Sequence, residues 1–274
     1  MAARLYAVSL EGPVPVAAPE SEDVHALFTS LPEGVYSGLR TYRGHHFLRL
    51  EDHLARTDQS MRLSGWTRAF DRQALRRTLD ALARAEPGDK RIRFDVLEEP
   101  HAGFDMYVAI GPLVPVPESV LRLGARVAVA RGLRRPSPLI KTTDFVSARR
   151  QYVERDATAY EHVMIDEDER LLECVSSNIY GVRDGAIYTA ESGVLEGVTR
   201  RIVLELAGIP VRFEPVPLAE IDTLDEAFLT SSTREVVPVT RIEDTVVGNG
   251  SPGPISTRLL AAYRSHAAEH ARPA

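Results

Sequence analysis

Between Gly111 and Ser119 the chain reads GPLVPVPES, three prolines in nine residues, and this stretch limits the possible folds more than any other. Each proline fixes φ and removes a backbone donor, so neither a helix nor a central strand can run through it. The chain is therefore read in two parts joined by a linker. Residues 1–112 form a small N-terminal α/β domain, 113–119 the linker, and 120–274 a larger C-terminal domain. A length of 274 residues is enough for two cores.

Within the first part, alternation in YSGLRTYRGHHFLRL predicts a hairpin turning near Gly44. EDHLARTDQSMRLSG then places Leu50, Leu54 and Met61 on one helical stripe that stops at Gly65. FDRQALRRTLDALARAEPG predicts a second helix, with Asp71 as N-cap, Leu75, Leu79 and Leu82 inward, and Pro87-Gly88 as terminator. KRIRFDVL and FDMYVAI alternate as strands. In the second part, LRLGARVAVA is expected as a strand and FVSARRQYVERDATAY as a helix. Strands follow in EHVMIDE, RLLECV and NIYGVRDGAIYTA, the last a hairpin around Asp184-Gly185. GVTRRIVLELAG is a helix, EAFLTSS and EVVPVTRI are strands, and ISTRLLAAYRSHAAEHAR is a terminal helix followed by an ARPA tail expected to fray. Strands and helices mix without strict βαβ alternation, which favours α+β sheets over a doubly wound fold.

A net charge of −6 does not supply the basic face that nucleic acid requires. The single cysteine, Cys174, cannot form an internal disulfide and is compatible with a reducing cytoplasm. Nowhere do eighteen apolar residues run together, and the start is cut by Gly12, Pro13 and Pro15, so a soluble cytoplasmic protein without membrane or nucleic-acid partners is expected. The phosphate loop G-x-x-x-x-G-K-[ST], the dinucleotide fingerprint G-x-G-x-x-G and the nucleophile elbow G-x-S-x-G are all missing. His45-His46 lack metal-ligand spacing, and no metal is expected.

What remains is lysine. Among 33 Lys plus Arg, lysine occurs only at Lys90 and Lys141. Lys90, in the turn-like EPGDKRI, is expected to be solvated. Lys141 ends RRPSPLIK, where apolar neighbours and arginines suit an amine that must be neutral to attack a carbonyl. In LEGVTR, Val198 and Thr199 open a helix and offer an anion free N–H groups, a hydroxyl and a positive dipole end. LTSSTREV adds the hydroxyls of Thr230, Ser231, Ser232 and Thr233, and Arg56 could add a bidentate charge. Glu173, an acid inside the apolar LLECV, calls for a cationic partner. A Schiff-base amine, a phosphate cup and a carboxylate able to keep a pyridine nitrogen protonated together describe a site for pyridoxal 5'-phosphate.

HFLRLEDHLARTDQS, IKTTDF, LLECVSSNIYGVRDGAIYT, GVLEGVTRRIVLELA and FLTSSTREVVPV occur in an order and register that resembles the class IV aminotransferases, the fold-type IV pyridoxal phosphate enzymes. The resemblance spans about residues 34–262. It implies a two-domain α/β fold with the cofactor between the domains, and a homodimer. It implies transamination between an amino acid and a 2-keto acid by a ping-pong route. The alternatives are pyruvate elimination of the aminodeoxychorismate lyase kind and a catalytically silent binding relative. By position, Lys141 is similar to the lysine that carries the cofactor and Glu173 to the partner of its ring nitrogen. Arg56, Val198, Thr199, Ser231 and Ser232 resemble the phosphate cup. Tyr36, Arg40 and Arg93 match substrate-pocket positions, Arg134 and Arg135 on the loop before Lys141 could hold a carboxylate, and Asn178 fixes backbone. Two departures weigh against branched-chain specificity: Ser37 stands where the family has an acid, and Val146 where branched-chain enzymes have a tyrosine. Cys174 after the acid resembles the lyases, whereas TSSTREVVPV is of the aminotransferase type. Donor chirality is left open.

Overall fold

The computed structural model describes residues 2–274, and the chain divides into two units. The first comprises the chain up to Val114 together with Ile140–Val146 and Ala267–Ala274; the second comprises Pro115–Leu139 and Ser147–His266. The division at Val114 falls inside the proline-rich stretch, and the segment bearing Lys141 belongs to the first unit.

The first unit is built on a six-stranded sheet made by β1 (Arg4–Val8), β2 (Pro13–Val16), β3 (Gly34–Tyr42), β4 (His46–Phe47), β5 (Lys90–His101) and β6 (Phe104–Pro112). The strand order is β2-β1-β6-β5-β3-β4, and the neighbouring strands pair antiparallel. Helices α1 (Leu50–Leu63) and α2 (Arg72–Arg84) supply one core, in which Leu54, Met61, Leu75, Leu79 and Leu82 meet Val35, Leu39, Ile92, Phe94, Val96, Met106 and Val108. Burying each such leucine stabilises the unit by about 1.5–3 kcal/mol. The α2 cap is as expected, for the Asp71 carboxylate accepts from the N–H groups of Gln73 and Ala74, both at 2.9 Å. The opposite sheet face is covered as well, by Leu27 and Phe28, which pack with Leu5, Ala7, Leu97, Tyr107 and Ala109. Burial on both faces explains why β6 reads as nearly continuous apolar sequence.

The proline linker gives way to a short helix, α3 (Glu118–Leu123), and then to β7 (Ala125–Val129), so the strand expected over LRLGARVAVA begins only after Gly124. Gly124 has φ 80°, and a Cβ there would lie 2.2 Å from the Thr240 side chain. Helix α4 (Asp144–Arg155) is followed by β8 (Glu161–Ile165), β9 (Leu171–Cys174), β10 (Asn178–Arg183), β11 (Ala186–Tyr188), α5 (Val198–Glu205), β12 (Val211–Arg212), β13 (Glu226–Ser231), β14 (Glu235–Ile242), β15 (Thr245–Val246) and α6 (Pro254–His270). The sheet of the second unit runs β12-β11-β10-β13-β14-β7-β8-β9, and β9 also pairs with β10 through Glu173 and Asn178. Six strands thereby close into a ring. Its core holds Val127, Val163, Cys174, Ile179, Leu229, Val237 and Ile242. No helix among the described residues is long and apolar enough to cross a membrane.

Two expectations are corrected, and a stretch to which the sequence assigned no element proves structured. The residues before Gly34 carry two strands, since β1 pairs with β6 in register from Arg4–Ile110 to Ala7–Tyr107. The ARPA tail is held, because Phe47 and Arg272 exchange backbone hydrogen bonds of 2.7 and 3.0 Å and Ala271 is buried. Lys90 is not solvated: it is 4% exposed, and its ammonium donates to the carbonyls of Ala83 (2.8 Å), Gly88 (2.6 Å) and Gly44 (3.1 Å), and also to that of Glu86. The turn that looked open in sequence folds around the amine and satisfies it with backbone oxygens.

Candidate active site

In the first unit, the segment carrying Lys141 is attached to the start of β3. Tyr36 N–H donates to the Lys141 carbonyl at 2.9 Å, Thr143 N–H to the Gly34 carbonyl at 2.9 Å, and Gly34 N–H to the Thr143 hydroxyl at 3.0 Å. Lys141 N–H donates to Ser60 Oγ on α1 at 3.2 Å. Gly34 is required by close approach, since a Cβ would sit 2.3 Å from the Val96 carbonyl oxygen.

Lys141 Nζ lies 4.5 Å from the centroid of the Tyr36 ring. The same ring has the Arg93 guanidinium at 4.5 Å, and Arg93 also stacks at 4.2 Å on Phe28. Arg93 is buried, with Nε and one terminal nitrogen on the two Asp95 oxygens at 2.7 and 2.6 Å and the other terminal nitrogen 3.0 Å from His25 Nδ1. Arg93 and Asp95 lie two apart on β5 and so share one sheet face. Burial raises the Asp95 carboxyl, with Arg93 opposing. Arg40 turns to Asp89 at 3.0 Å and to the Tyr42 ring at 4.6 Å.

Beside them is a relay not singled out in the sequence. Arg56, 9% exposed, donates to Ser37 Oγ at 2.7 Å, and Ser37 Oγ is 2.9 Å from His53 Nδ1. With its oxygen accepting from Arg56, the Ser37 hydroxyl can donate to Nδ1 and fix the neutral imidazole. Burial, then Arg56 and Lys141, push His53 well below the usual histidine value of 6.5. The spacing of His53 and Arg56 on α1 was the available signal, because residues three apart share a helix face.

The folded state keeps His53 neutral while the unfolded chain takes up a proton below 6.5. Stability is therefore expected to fall as pH drops through 6.5, by up to about 1.4 kcal/mol per pH unit until the folded-state value is reached. Thermal melts of the native protein and His53→Gln between pH 8 and 5 check this. Equal acid sensitivity of the two proteins would refute it.

In the second unit, Glu173 on β9 is buried, accepting from Arg135 Nε at 3.0 Å and from Leu195 N–H at 3.1 Å. Arg135, 8% exposed, is thus the cationic partner the acid required, although the two lie 38 residues apart. Arg134 instead reaches Glu167 at 3.5 Å, both side chains exposed. Val198 and Thr199 open α5 and are buried, with Gly197 at the N-cap. A Cβ on Gly197 would lie 2.3 Å from the Asn178 side-chain oxygen, and the Asn178 amide donates to the Leu195 carbonyl at 2.9 Å, so Asn178 fixes the approach to the helix. Thr199 Oγ1 is 3.5 Å from Ser232 Oγ, which brings the start of α5 to the turn joining β13 and β14. That turn begins after Ser231, paired with Glu235, whose φ of 61° is left-handed. N–H groups of a helix first turn and two hydroxyls so placed suit an anion.

The second unit therefore joins a hydroxyl-lined helix start to a paired buried carboxylate, and the first unit presents a lysine on an aromatic ring. The family described as amino-transferase class IV matches residues 34–242. A D-alanine aminotransferase of Bacillus licheniformis is 28% identical over 248 residues, covering 85% of this chain and 87% of that protein. A protein of Thermotoga maritima described as a probable branched-chain-amino-acid aminotransferase is 30% identical over 243 residues, covering 84% and 85%. Among solved structures, a branched-chain amino acid aminotransferase of T.th. with pyridoxamine 5'-phosphate shares the fold, with a TM-score of 0.79 at 23% identity, covering 100% of this chain and 96% of that one. The sequence motifs, the fold and these likenesses agree: the chain belongs to the class IV aminotransferases.

Proposed function

We propose that the protein is a pyridoxal 5'-phosphate-dependent transaminase, acting as a cytoplasmic homodimer, that moves an amino group from an amino acid to a 2-keto acid. One observation carries the assignment of the reactive amine. Of the two lysines, Lys90 is enclosed by four carbonyls, whereas the Lys141 ammonium faces the Tyr36 ring. Lys141 is then the amine that would carry the cofactor. Arg56, Val198, Thr199, Ser231 and Ser232 would hold its phosphate, and Glu173 its ring nitrogen. The residues fit the group: a carboxylate kept on Arg135 and Leu195 N–H is an acceptor for a protonated nitrogen, and Thr199 and Ser232 hydroxyls 3.5 Å apart suit a shared anion. Bound, the cofactor supplies the carbonyl that captures the amino group and the ring that takes up electrons when the α-proton leaves.

The chain's own residues do the rest. Lys141 Nζ serves as base for the substrate α-proton and later returns it. Tyr36 limits where that amine can swing, because the ring lies against it. For the substrate carboxylate the candidates remain Tyr36, Arg40, Arg93 and Arg135. The Nε of Arg135 is engaged by Glu173, and the three nitrogens of Arg93 by Asp95 and His25, so these guanidinium groups are already held in place.

The test is a half-reaction screen on the holoprotein, without any acceptor. D-alanine, L- and D-glutamate and leucine are added singly, and at least one is expected to bleach the visible cofactor band and release its keto acid. Stoichiometric keto acid with the band restored by a second keto acid fits the ping-pong route. A band that survives every donor would refute transamination.

A further inference from the structure

We infer that Arg234, tethered by the buried carboxylate of Glu161, is a positioning residue that sets the hydroxyl turn after β13 for an anion. The inference rests on the reading of that turn as part of a phosphate cup. Arg234 donates from one terminal nitrogen to Glu161 Oε2 at 2.7 Å and to Ser176 Oγ at 2.8 Å, and from Nε to Ser231 Oγ at 3.1 Å. Its guanidinium also lies 5.5 Å from the Tyr160 ring. Glu161, 4% exposed, further accepts from Ser176 Oγ at 2.5 Å and from Ser177 Oγ at 3.1 Å. One rigid fork therefore ties the start of β8, the loop that leaves Glu173 and the β13–β14 turn. These are the segments that carry the acid and the hydroxyls.

The polarity of the network gives it direction. A serine hydroxyl has one proton and two lone pairs. Where Arg234 Nε occupies a lone pair of Ser231 Oγ, the Ser231 proton is left to point away from the arginine, toward an acceptor. A hydroxyl whose proton is left free for an incoming acceptor is what a phosphate needs beside it. Burial pushes the Glu161 carboxyl up, but Arg234, Ser176 and the His162 N–H outweigh burial and hold it below the usual 4.5. Glu161 thus stays charged under Arg234 at neutral pH, and the fork cannot relax without leaving a carboxylate buried and unpaired.

The experiment compares two aldehydes on the full-length protein, pyridoxal 5'-phosphate and pyridoxal, with binding followed by absorbance after resident cofactor is removed. Arg234→Met is expected to lose about tenfold in affinity for the phosphorylated aldehyde and little for pyridoxal. Ser231→Ala should lose a similar factor, and the double variant no more than either, because the two act as one unit. Arg234→Lys should not rescue, since a point charge cannot bridge Glu161 and Ser231. Should Arg234→Met fail to fold, Glu161→Gln is expected to show the same selective loss.

Equal loss for both aldehydes, additive losses in the double variant, or full rescue by lysine would overturn the positioning role. Native protein that binds the two aldehydes equally would overturn the phosphate cup itself, and the inference with it. A native preference that Arg234→Met leaves intact would overturn the inference alone.

Discussion

Lys141→Ala is expected to lower transamination by at least about a thousandfold while leaving the fold intact. Under the proposed function the side chain would contribute its amine to the chemistry, whereas the backbone makes the structural contacts: the carbonyl with Tyr36 N–H at 2.9 Å and the N–H with Ser60 Oγ at 3.2 Å. Truncation at Cβ keeps both bonds and removes the ammonium from the Tyr36 ring, a contact worth about 0.5–1 kcal/mol. Lys141→Arg separates charge from chemistry. It keeps a cation for Tyr36, but a guanidinium stays protonated and can serve neither as nucleophile nor as base, so this variant should be as inactive as the alanine. Two measurements check the claim: steady-state transamination with and without added small amines, and borohydride reduction followed by peptide mapping. The native protein should carry the reduced adduct at Lys141 and at no other residue. Partial recovery of Lys141→Ala by a free amine would tie the loss to the missing base, whereas more than a tenth of native activity in either variant would remove Lys141 from the reaction.

How far the sequence reached follows from the range of each interaction. The Asp71 cap, the stripe of Leu75, Leu79 and Leu82, and the turn at Asp184-Gly185, where φ is 51° and 70°, are local, and spacing alone predicts them. Glu173 was legible as an acid that needed a cation, because an unpaired carboxylate in an apolar strand is too costly. That its partner is Arg135 was not legible, for any of several arginines could reach it until β9 and the loop before Lys141 were placed in space. The same holds for Arg93, which in KRIRFDVL reads as one of two arginines on a polar strand face. It is buried because Phe28 and Tyr36 cover that face. Strand β1 escaped notice because its five residues, RLYAV, take their register from β6, about a hundred positions away. The Glu161–Arg234 tether is equally non-local, spanning 73 residues. Sequence pattern therefore reached most of the elements, and missed the pairings that orient the side chains around them.

Lys90→Met is expected to destabilise the protein by about 3–5 kcal/mol at a residue outside the proposed chemistry. The loop from Ala83 to Gly88, together with Gly44 from the β3–β4 turn, directs four carbonyl oxygens at one ammonium. A methionine fills nearly the same volume but donates nothing, so these oxygens lose their shared partner in a site that is 4% exposed. An unsatisfied buried acceptor costs about 1–3 kcal/mol, and partial relaxation of the loop toward water recovers some of the sum. Lys90→Arg retains the charge, yet a planar guanidinium cannot point donors at four converging oxygens, and it too should destabilise. In a protein of this size each kcal/mol lowers Tm by about 2–4 °C, so a drop on the order of 10 °C is expected for Lys90→Met. The first unit should open before the second, because the cage closes the end of α2 onto β5 within that unit. Hydrogen exchange would locate the loss, with protection falling first in Arg72–Arg84 and Lys90–His101. Catalysis at temperatures well below the transition should be unchanged, since the ammonium is engaged by backbone carbonyls and has no part in the proposed chemistry. A Lys90→Met protein that melts within about 2 °C of native, the shift expected for a loss of only about 1 kcal/mol or less, would mean that water replaces the amine at little cost, and the carbonyl cage would then have no structural weight.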